Sequence, residues 1–107
     1  MSENSKYDVI AIGGGSGGLA MVQRAAEYGK RCAVIEAGRL GGTCVNVGCV
    51  PKKVMWTTSQ INETIDIADQ YGFDVEKKSF QWSAIKDSRD RYVERLNGIY
   101  ERNLNNS

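Results

Sequence analysis

Histidine is absent from the 107 residues of this sequence, and proline occurs only once. Without histidine, the chain itself has no imidazole for acid–base catalysis and no histidine-containing metal site. It has three cysteines, too few for a zinc site of thiolates alone. We therefore expect no metal ion, and any redox or nucleophilic chemistry must depend on other side chains.

A large excess of charge and a long hydrophobic run are also missing. The 14 Lys plus Arg and 13 Asp plus Glu give a net charge of +1, which offers nothing to attract nucleic acid or an anionic membrane. Met1 to Lys6 is polar, and the first apolar run, Val9 to Ile12, is shorter than the roughly 7–15 residues of a signal-peptide core. No segment approaches the roughly 20 apolar residues of a membrane span. We expect a soluble, cytoplasmic protein.

The first third of the chain has the pattern of a strand, a helix and a second strand. Tyr7 to Ile12 is a β-branched apolar run that stops at Gly13, and Arg31 to Glu36 is a second such run. Between them, Ser16 to Tyr28 carries apolar residues at helical spacing, followed by Gly29 where a C-terminal cap belongs. This order predicts a βαβ unit with a right-handed crossover.

The second half of the chain predicts two helices and no further strand. Ile61, Ile65 and Ala68 share one face of the first helix, which Gly72 ends. The second helix carries an apolar stripe of Ile85, Tyr92, Leu96, Ile99 and Tyr100. Parallel strands normally lie in a sheet covered on both faces, so two strands make an incomplete sheet. The predicted fold class is α/β, with residues 1–107 as the beginning of a larger Rossmann-like domain.

A glycine-rich loop, residues 13–18, connects the first strand to the first helix. The pattern Gly13-x-Gly15-x-x-Gly18 alone also fits a tight turn that merely needs positive φ. Between strand and helix, these glycines permit a sharp turn, approach of a pyrophosphate and close helix packing, and the helix N-terminus favours phosphate. Glu36, at the end of the second strand, can accept from ribose hydroxyls and would repel a 2′-phosphate. The loop therefore predicts a site for FAD or NAD.

Cys44 and Cys49 are five positions apart, with Gly48 between them and Pro51 after them. On an ideal helix they would be separated by about 7.5 Å of rise and point about 140° apart, whereas a disulfide needs Cα atoms about 4.4–6.8 Å apart. A disulfide would therefore require the backbone to unwind, which Gly48 permits. Because proline disfavours helical geometry at Val50, we expect regular helix only after Pro51. Two unrelated buried thiols are the alternative to a readily reduced redox pair.

The third cysteine and two nearby lysines also need an interpretation. Cys32, inside the second strand, is expected to be a small core residue. Lys52 and Lys53 follow the cysteine pair and would ordinarily be surface residues of a helix. Beside a thiol pair, one ammonium group can stabilise a thiolate by charge pairing. The functional interpretation of the lysines depends on the existence of the thiol site.

The segment Gly41-Gly42-Thr43-Cys44-Val45-Asn46-Val47-Gly48-Cys49-Val50-Pro51 resembles the redox-active segment of the flavoprotein pyridine-nucleotide–disulfide oxidoreductases. The similarity covers nearly the whole chain. Lys52-Lys53-Val54-Met55-Trp56, with Arg24-Ala25-Ala26 and Tyr71-Gly72-Phe73, is most similar to family members that reduce glutathione disulfide. Members that reduce trypanothione or thioredoxin are the nearest alternatives, and an inactive FAD-binding or thiol-switch fragment is another.

The resemblance implies that residues 1–107 are the N-terminal part of an FAD-binding domain. The full-length enzyme would be a homodimer that reduces glutathione disulfide with NADPH through FAD and a Cys44–Cys49 disulfide. Its NADPH-binding domain and its interface domain, which supplies an acid–base histidine, would lie outside this chain, and these residues alone would be inactive.

The resemblance also implies roles for individual residues. FAD would be held by Gly13, Gly15, Ser16, Gly17, Gly18, Glu36, Thr43, Cys44 and Lys52. Cys44 would be the interchange thiol that attacks glutathione disulfide, and Cys49 would face the flavin as the charge-transfer thiolate. Tyr100, for which a core aromatic is the alternative, and Ser16 would contact glutathione. Gln23 is a departure, because some members have a carboxylate-binding arginine there.

Overall fold

A computed structural model describes residues 6–107 of the chain. The polar segment Met1 to Lys6, from which no targeting signal was expected, lies outside the described residues except for Lys6. The elements are β1 (Val9–Ile12), α1 (Ser16–Glu27), β2 (Cys32–Ile35), α2 (Gly42–Asn46), α3 (Cys49–Ile67), a 3-10 turn (Ala68–Tyr71) and α4 (Trp82–Asn106). The predicted α/β class is confirmed, with the short α2 in addition to the three expected helices.

The two strands form a parallel pair with α1 against one face. Val9 pairs with Cys32 and Ile12 with Ile35, so the crossover from β1 to β2 passes through α1 as predicted. Ala11 is buried beneath α1, whose Leu19 and Val22 are buried too. Ile12 lies at the end of β1 and is 89% exposed. The described sheet therefore has one covered face, whereas parallel sheets are usually covered on both.

The end of α1 follows the glycine rule for helix C-termini. Gly29 has φ +76° and donates its N–H to the carbonyl oxygen of Ala26 at 2.9 Å. Glycine has no Cβ, so the left-handed conformation costs it little, and the chain can turn from the helix toward β2. The predicted cap at Gly29 is confirmed.

The expectation that helix resumes only after Pro51 is wrong. Helix α3 begins at Cys49, so Pro51 and the preceding Val50 both lie in its first turn. The first four N–H groups of a helix have no intrahelical partner, and the missing N–H of proline removes nothing there. The first helical hydrogen bond runs from the Lys52 N–H to the Gly48 carbonyl oxygen at 3.1 Å. The tolerance of a first turn for proline outweighs the restriction on the residue before it.

Helices α3 and α4 form an antiparallel hairpin that extends from the βαβ unit, with Gly72 (φ +87°) ending the 3-10 turn. The most buried residue of α4 is Val93, while Tyr92, which we placed in the apolar stripe, is exposed. At this point the buried face of α4 is therefore one residue further along the helix than the predicted apolar stripe. Leu96 and Tyr100, three and seven positions after Val93, share that face and are half-buried, as helical spacing requires.

The described chain is elongated. It measures 68 × 26 × 19 Å with a radius of gyration of 20.2 Å, compared with about 13 Å for a compact domain of this length. Its buried apolar side chains within residues 6–107 are Ala11, Leu19, Val22, Val45 and Val93. These residues alone therefore enclose only a small core.

Among residues 6–107, no helix combines the length and the apolar character needed to cross a bilayer.

Candidate functional site

The glycine loop between β1 and α1 has a geometry that leaves its backbone accessible. Gly13 turns the chain with φ +111°, and Gly15 is the N-cap of α1 without any side-chain cap. Ser16 and Gly17, the first residues of α1, are exposed. Uncapped N–H groups and the positive end of the helix dipole meet at this point. These features of a helix start favour phosphate.

Gly18 sets how closely α1 approaches β1. A Cβ atom at Gly18 would lie 2.1 Å from the carbonyl oxygen of Gly13 and 3.4 Å from the Cβ of Ala11. No side chain fits within 2.1 Å of a backbone oxygen. The role predicted for Gly18 in close packing therefore matches the local geometry.

The Glu36 carboxylate accepts hydrogen bonds from the glycine loop and from the segment that follows β2. Its Oε1 accepts from the Gly14 N–H at 3.1 Å, and its Oε2 accepts from the Gly38 N–H at 3.2 Å. These bonds, that from Gly38 first and that from Gly14 second, lower the pKa of the carboxyl group. The side chain is exposed, and each oxygen keeps lone-pair capacity for ribose hydroxyls. Sequence reasoning missed that Glu36 also fixes the glycine loop.

The glycine loop is in direct contact with the segment that leads to the cysteines. The Gly41 N–H donates to the Gly14 carbonyl oxygen at 2.8 Å. A Cβ on Gly42 would lie 2.8 Å from the Cα of Gly15. Gly41 and Gly42 both have positive φ. Glycine adopts this conformation readily because it has no Cβ atom, and few other residues tolerate such a turn. Thr43 and Cys44 follow at once in α2, so the structure brings the predicted dinucleotide and thiol residues together.

The backbone unwinds between the two cysteines, as expected at Gly48. Helix α2 ends at Asn46 and α3 begins at Cys49. A Cβ at Gly48 would lie 2.8 Å from the carbonyl oxygen of Thr43 and 3.1 Å from the Cα of Cys44. Only glycine permits this close return of the chain. It brings Cys49 close to Cys44, and both are free thiols, Cys44 half-buried and Cys49 exposed.

The contact between the thiols controls the ionisation of Cys44. The side-chain hydrogen bond with Cys49 raises the pKa of Cys44, and partial burial and repulsion from a Cys49 thiolate raise it further. The Cys49 N–H and the charge of Lys52 act in the opposite direction. Cys44 therefore holds its proton more firmly than an isolated thiol. Lys52 influences the pair electrostatically, whereas Lys53 lies over the Trp56 ring, 4.1 Å from its centroid.

Two other residues from the sequence analysis, Tyr100 and Cys32, have no direct link to the cysteine pair or the glycine loop among the described hydrogen bonds. Tyr100 is half-buried on α4, and within residues 6–107 no hydrogen bond joins it to the cysteines or the glycine loop. Cys32 is half-buried in β2 and donates to the Lys30 carbonyl oxygen at 3.5 Å. The expectation that Cys32 is a core residue is therefore wrong for the described residues, because one face of the sheet is uncovered.

A pair of asparagines at the site was missed by sequence reasoning. The Asn97 Nδ2 on α4 donates to the Leu40 carbonyl oxygen at 2.7 Å and to the Asn46 Oδ1 at 2.9 Å. The Asn46 Nδ2 donates in turn to the carbonyl oxygens of Gly42, at 2.9 Å, and Leu40, at 3.2 Å. Asn46 lies in the predicted redox segment, but its partner is 51 positions away and no local pattern indicates it.

The fold and the site define an α/β protein in which the segment that carries Cys44 contacts a glycine loop between a strand and a helix. The family model described as pyridine nucleotide-disulphide oxidoreductase matches residues 7–107. The chain belongs to this family, and the resemblance inferred from the sequence is confirmed.

Similar curated proteins are named glutathione reductase. That of Yarrowia lipolytica is 57% identical over 97% of this chain, and that of Schizosaccharomyces pombe is 56% identical over 92%. The glutathione reductase of Debaryomyces hansenii is 54% identical over 94% of the chain. The matched regions amount to 23%, 22% and 22% of these proteins, so the chain spans less than a quarter of their length.

Replacing Gly18 with alanine is expected to destabilise the fold by about 1–3 kcal/mol, because the new methyl group meets a backbone oxygen. Gly17→Ala is the matched control: nothing lies within 4 Å of its Cβ position, and alanine is the better helix former. Denaturant unfolding of both variants measures the difference. Equal stabilities would contradict the packing role of Gly18.

Replacing Cys49 with alanine is expected to lower the pKa of Cys44, because it removes the thiol hydrogen bond that raises it. The rate of Cys44 alkylation by iodoacetamide over a pH series, followed by peptide mass spectrometry, reports this pKa. Lys52→Gln should shift the profile to higher pH, and Lys53→Gln, whose ammonium faces Trp56, should leave it unchanged. An unchanged profile for Cys49→Ala would show that the thiols do not interact.

Proposed function

We propose that residues 1–107 are the N-terminal part of the FAD-binding domain of a homodimeric, cytoplasmic enzyme that reduces glutathione disulfide with NADPH. The observation that supports this proposal is the contact of the Gly41–Gly42 turn with the glycine loop, from which the chain continues directly to Cys44 and then to the neighbouring Cys49. The relatives named glutathione reductase support the choice of substrate. The elongated shape and the uncovered sheet face are consistent with a part of a larger domain.

The residues present fit an FAD molecule. The uncapped start of α1, at Ser16 and Gly17, suits the pyrophosphate, and Glu36 has free lone pairs for the adenosine ribose. Thr43 and Cys44 continue from the glycine contact, and Lys52 supplies a positive charge beside the thiols. When bound, the flavin would supply electrons from NADPH to the cysteine pair.

The cysteine pair can reduce a disulfide in two exchange steps. The Cys44 thiolate attacks one sulfur of glutathione disulfide, so a mixed disulfide forms and the first glutathione leaves as a thiolate that takes up a proton. The Cys49 thiolate then attacks the Cys44 Sγ, which releases the second glutathione and leaves a Cys44–Cys49 disulfide. The protein dithiol loses two electrons, and glutathione disulfide gains them.

The first step requires that Cys44 lose a proton that its surroundings hold firmly. The pKa of Cys44 is raised chiefly by its bond with Cys49, and no histidine occurs among the 107 residues to accept the proton. The histidine that the family resemblance places in the interface domain would meet this need. We assign Tyr100 and Ser16, on α4 and at the start of α1, to contacts with glutathione.

In the complete enzyme, Cys44→Ser is expected to abolish turnover of glutathione disulfide and to leave flavin reduction by NADPH intact. NADPH consumption at 340 nm measures turnover, and anaerobic bleaching of the flavin measures its reduction. Cys32→Ser, a thiol outside the site, is the control and should remain active. Turnover of glutathione disulfide by Cys44→Ser would refute the interchange role. If the unmodified enzyme reduced thioredoxin or trypanothione disulfide faster than glutathione disulfide, the proposed substrate would be refuted.

Replacing Glu36 with glutamine is expected to weaken FAD retention on the order of tenfold, because the carboxylate loses its charge and one acceptor pair. The measurement is the equilibrium flavin content of the purified complete enzyme during dialysis. Glu27→Gln, the same chemical change on the exposed surface of α1, is the control. Equal flavin retention in both variants would contradict the ribose-binding role.

A further inference from the structure

The side-chain amide of Asn97 joins α4 to the segment that carries Cys44. Both hydrogens of its Nδ2 are used, one by the Leu40 carbonyl oxygen at 2.7 Å and one by the Asn46 Oδ1 at 2.9 Å. Both partners are acceptors, so the orientation of the amide follows from the network. The contact bridges 57 positions to Leu40 and 51 to Asn46, so it fixes one part of the fold against another.

The network holds both ends of α2. The Leu40 carbonyl oxygen, before the helix, accepts from Asn97 and from Asn46, and the Gly42 carbonyl oxygen, in its first residue, accepts from Asn46 at 2.9 Å. A helix of five residues has no stability of its own, and this one has no side-chain cap. Cys44 lies at its centre. The position of Cys44 therefore depends on the bonds that hold these ends.

Packing alone does not explain an asparagine at position 97. Its Oδ1 is buried and has no hydrogen-bond partner within the described residues. An unsatisfied buried acceptor is unfavourable, so packing alone does not favour an amide side chain at this position. The two bonds donated by Nδ2 are what distinguishes asparagine here.

We propose that Asn97 is a positioning residue for the Cys44–Cys49 couple, acting through the Leu40 carbonyl group and Asn46. It holds α2 where Cys44 lies against the close return of the chain at Gly48, directly before Cys49, and so raises the effective concentration of one thiol at the other. A closer pair favours the disulfide, so loss of the network shifts the equilibrium of the couple toward the dithiol. The inference rests on the proposed function, because it assigns Asn97 to the thiol couple of that reaction.

The test replaces Asn97 with aspartate in the complete enzyme. A carboxylate oxygen would then face two acceptors, the Leu40 carbonyl oxygen and the Asn46 Oδ1, and both donor bonds would be lost. Asn97→Ala removes the bonds without this repulsion and serves if the aspartate variant does not fold. Asn105→Asp makes the same chemical change at an exposed position of α4 and is the control.

The readout is the fraction of the Cys44–Cys49 disulfide at equilibrium with a dithiothreitol redox buffer, measured by alkylation and mass spectrometry. We expect an equilibrium constant about tenfold further toward the dithiol for Asn97→Ala, or about 30 mV, with a larger shift for Asn97→Asp and none for Asn105→Asp. A lower melting temperature with an unchanged couple would show a merely structural role and overturn the inference.

The buffer contains no glutathione, so the two proposals fail separately. An enzyme whose couple responds to Asn97 but which does not reduce glutathione disulfide would refute the proposed function and support the positioning role. Normal glutathione disulfide turnover with a couple unaffected by Asn97→Ala and Asn97→Asp would refute the positioning role and leave the function standing.

Discussion

The contact between two glycine-containing backbone segments is the constraint on which the rest of the site depends. Gly41 bonds to the carbonyl oxygen of Gly14, and Gly42 lies so close to Gly15 that a Cβ on Gly42 would be 2.8 Å from its Cα. Because no side chain intervenes, the segment that leads to Cys44 lies directly on the loop that begins α1. A larger residue at Gly42 would leave the glycine loop and both cysteines in the sequence and would separate them in space.

The surroundings of Cys44 bear on the thiol exchange that we propose for the pair. The neighbouring Cys49 thiol and partial burial raise the pKa of Cys44, and the charge of Lys52 acts in the opposite direction. A protonated thiol is a poor nucleophile. In the proposed reaction this chain would supply the two sulfur atoms, and the histidine that the family resemblance implies would accept the proton, since these 107 residues contain none.

Patterns that act over a few residues predicted much of the fold and the position of the site. The cap at Gly29 and the unwinding at Gly48 follow from the conformational freedom of glycine, and the structure has both. The start of α3 was predicted too late because two local rules compete there. Proline restricts the residue before it, but a first helical turn tolerates proline, and the sequence does not show which rule dominates. Val93 was missed because the phase of a long helix is set by what it packs against. Asn97 required knowledge of a contact across 57 positions, which no local pattern contains.

The position of Asn97 on α4 also connects the thiol couple to the proposed substrate contact. Tyr100 follows Asn97 by three residues, about 4.5 Å along the helix axis and on the same side of α4. A helix is stiff over one turn, so the residue that holds α2 and the residue assigned to glutathione keep a fixed spacing. A substrate that contacts Tyr100 would therefore be placed relative to Cys44 through the same bonds that place Cys44 relative to Cys49. Sites held in this way by a single rigid element are more precise than sites assembled from independent loops.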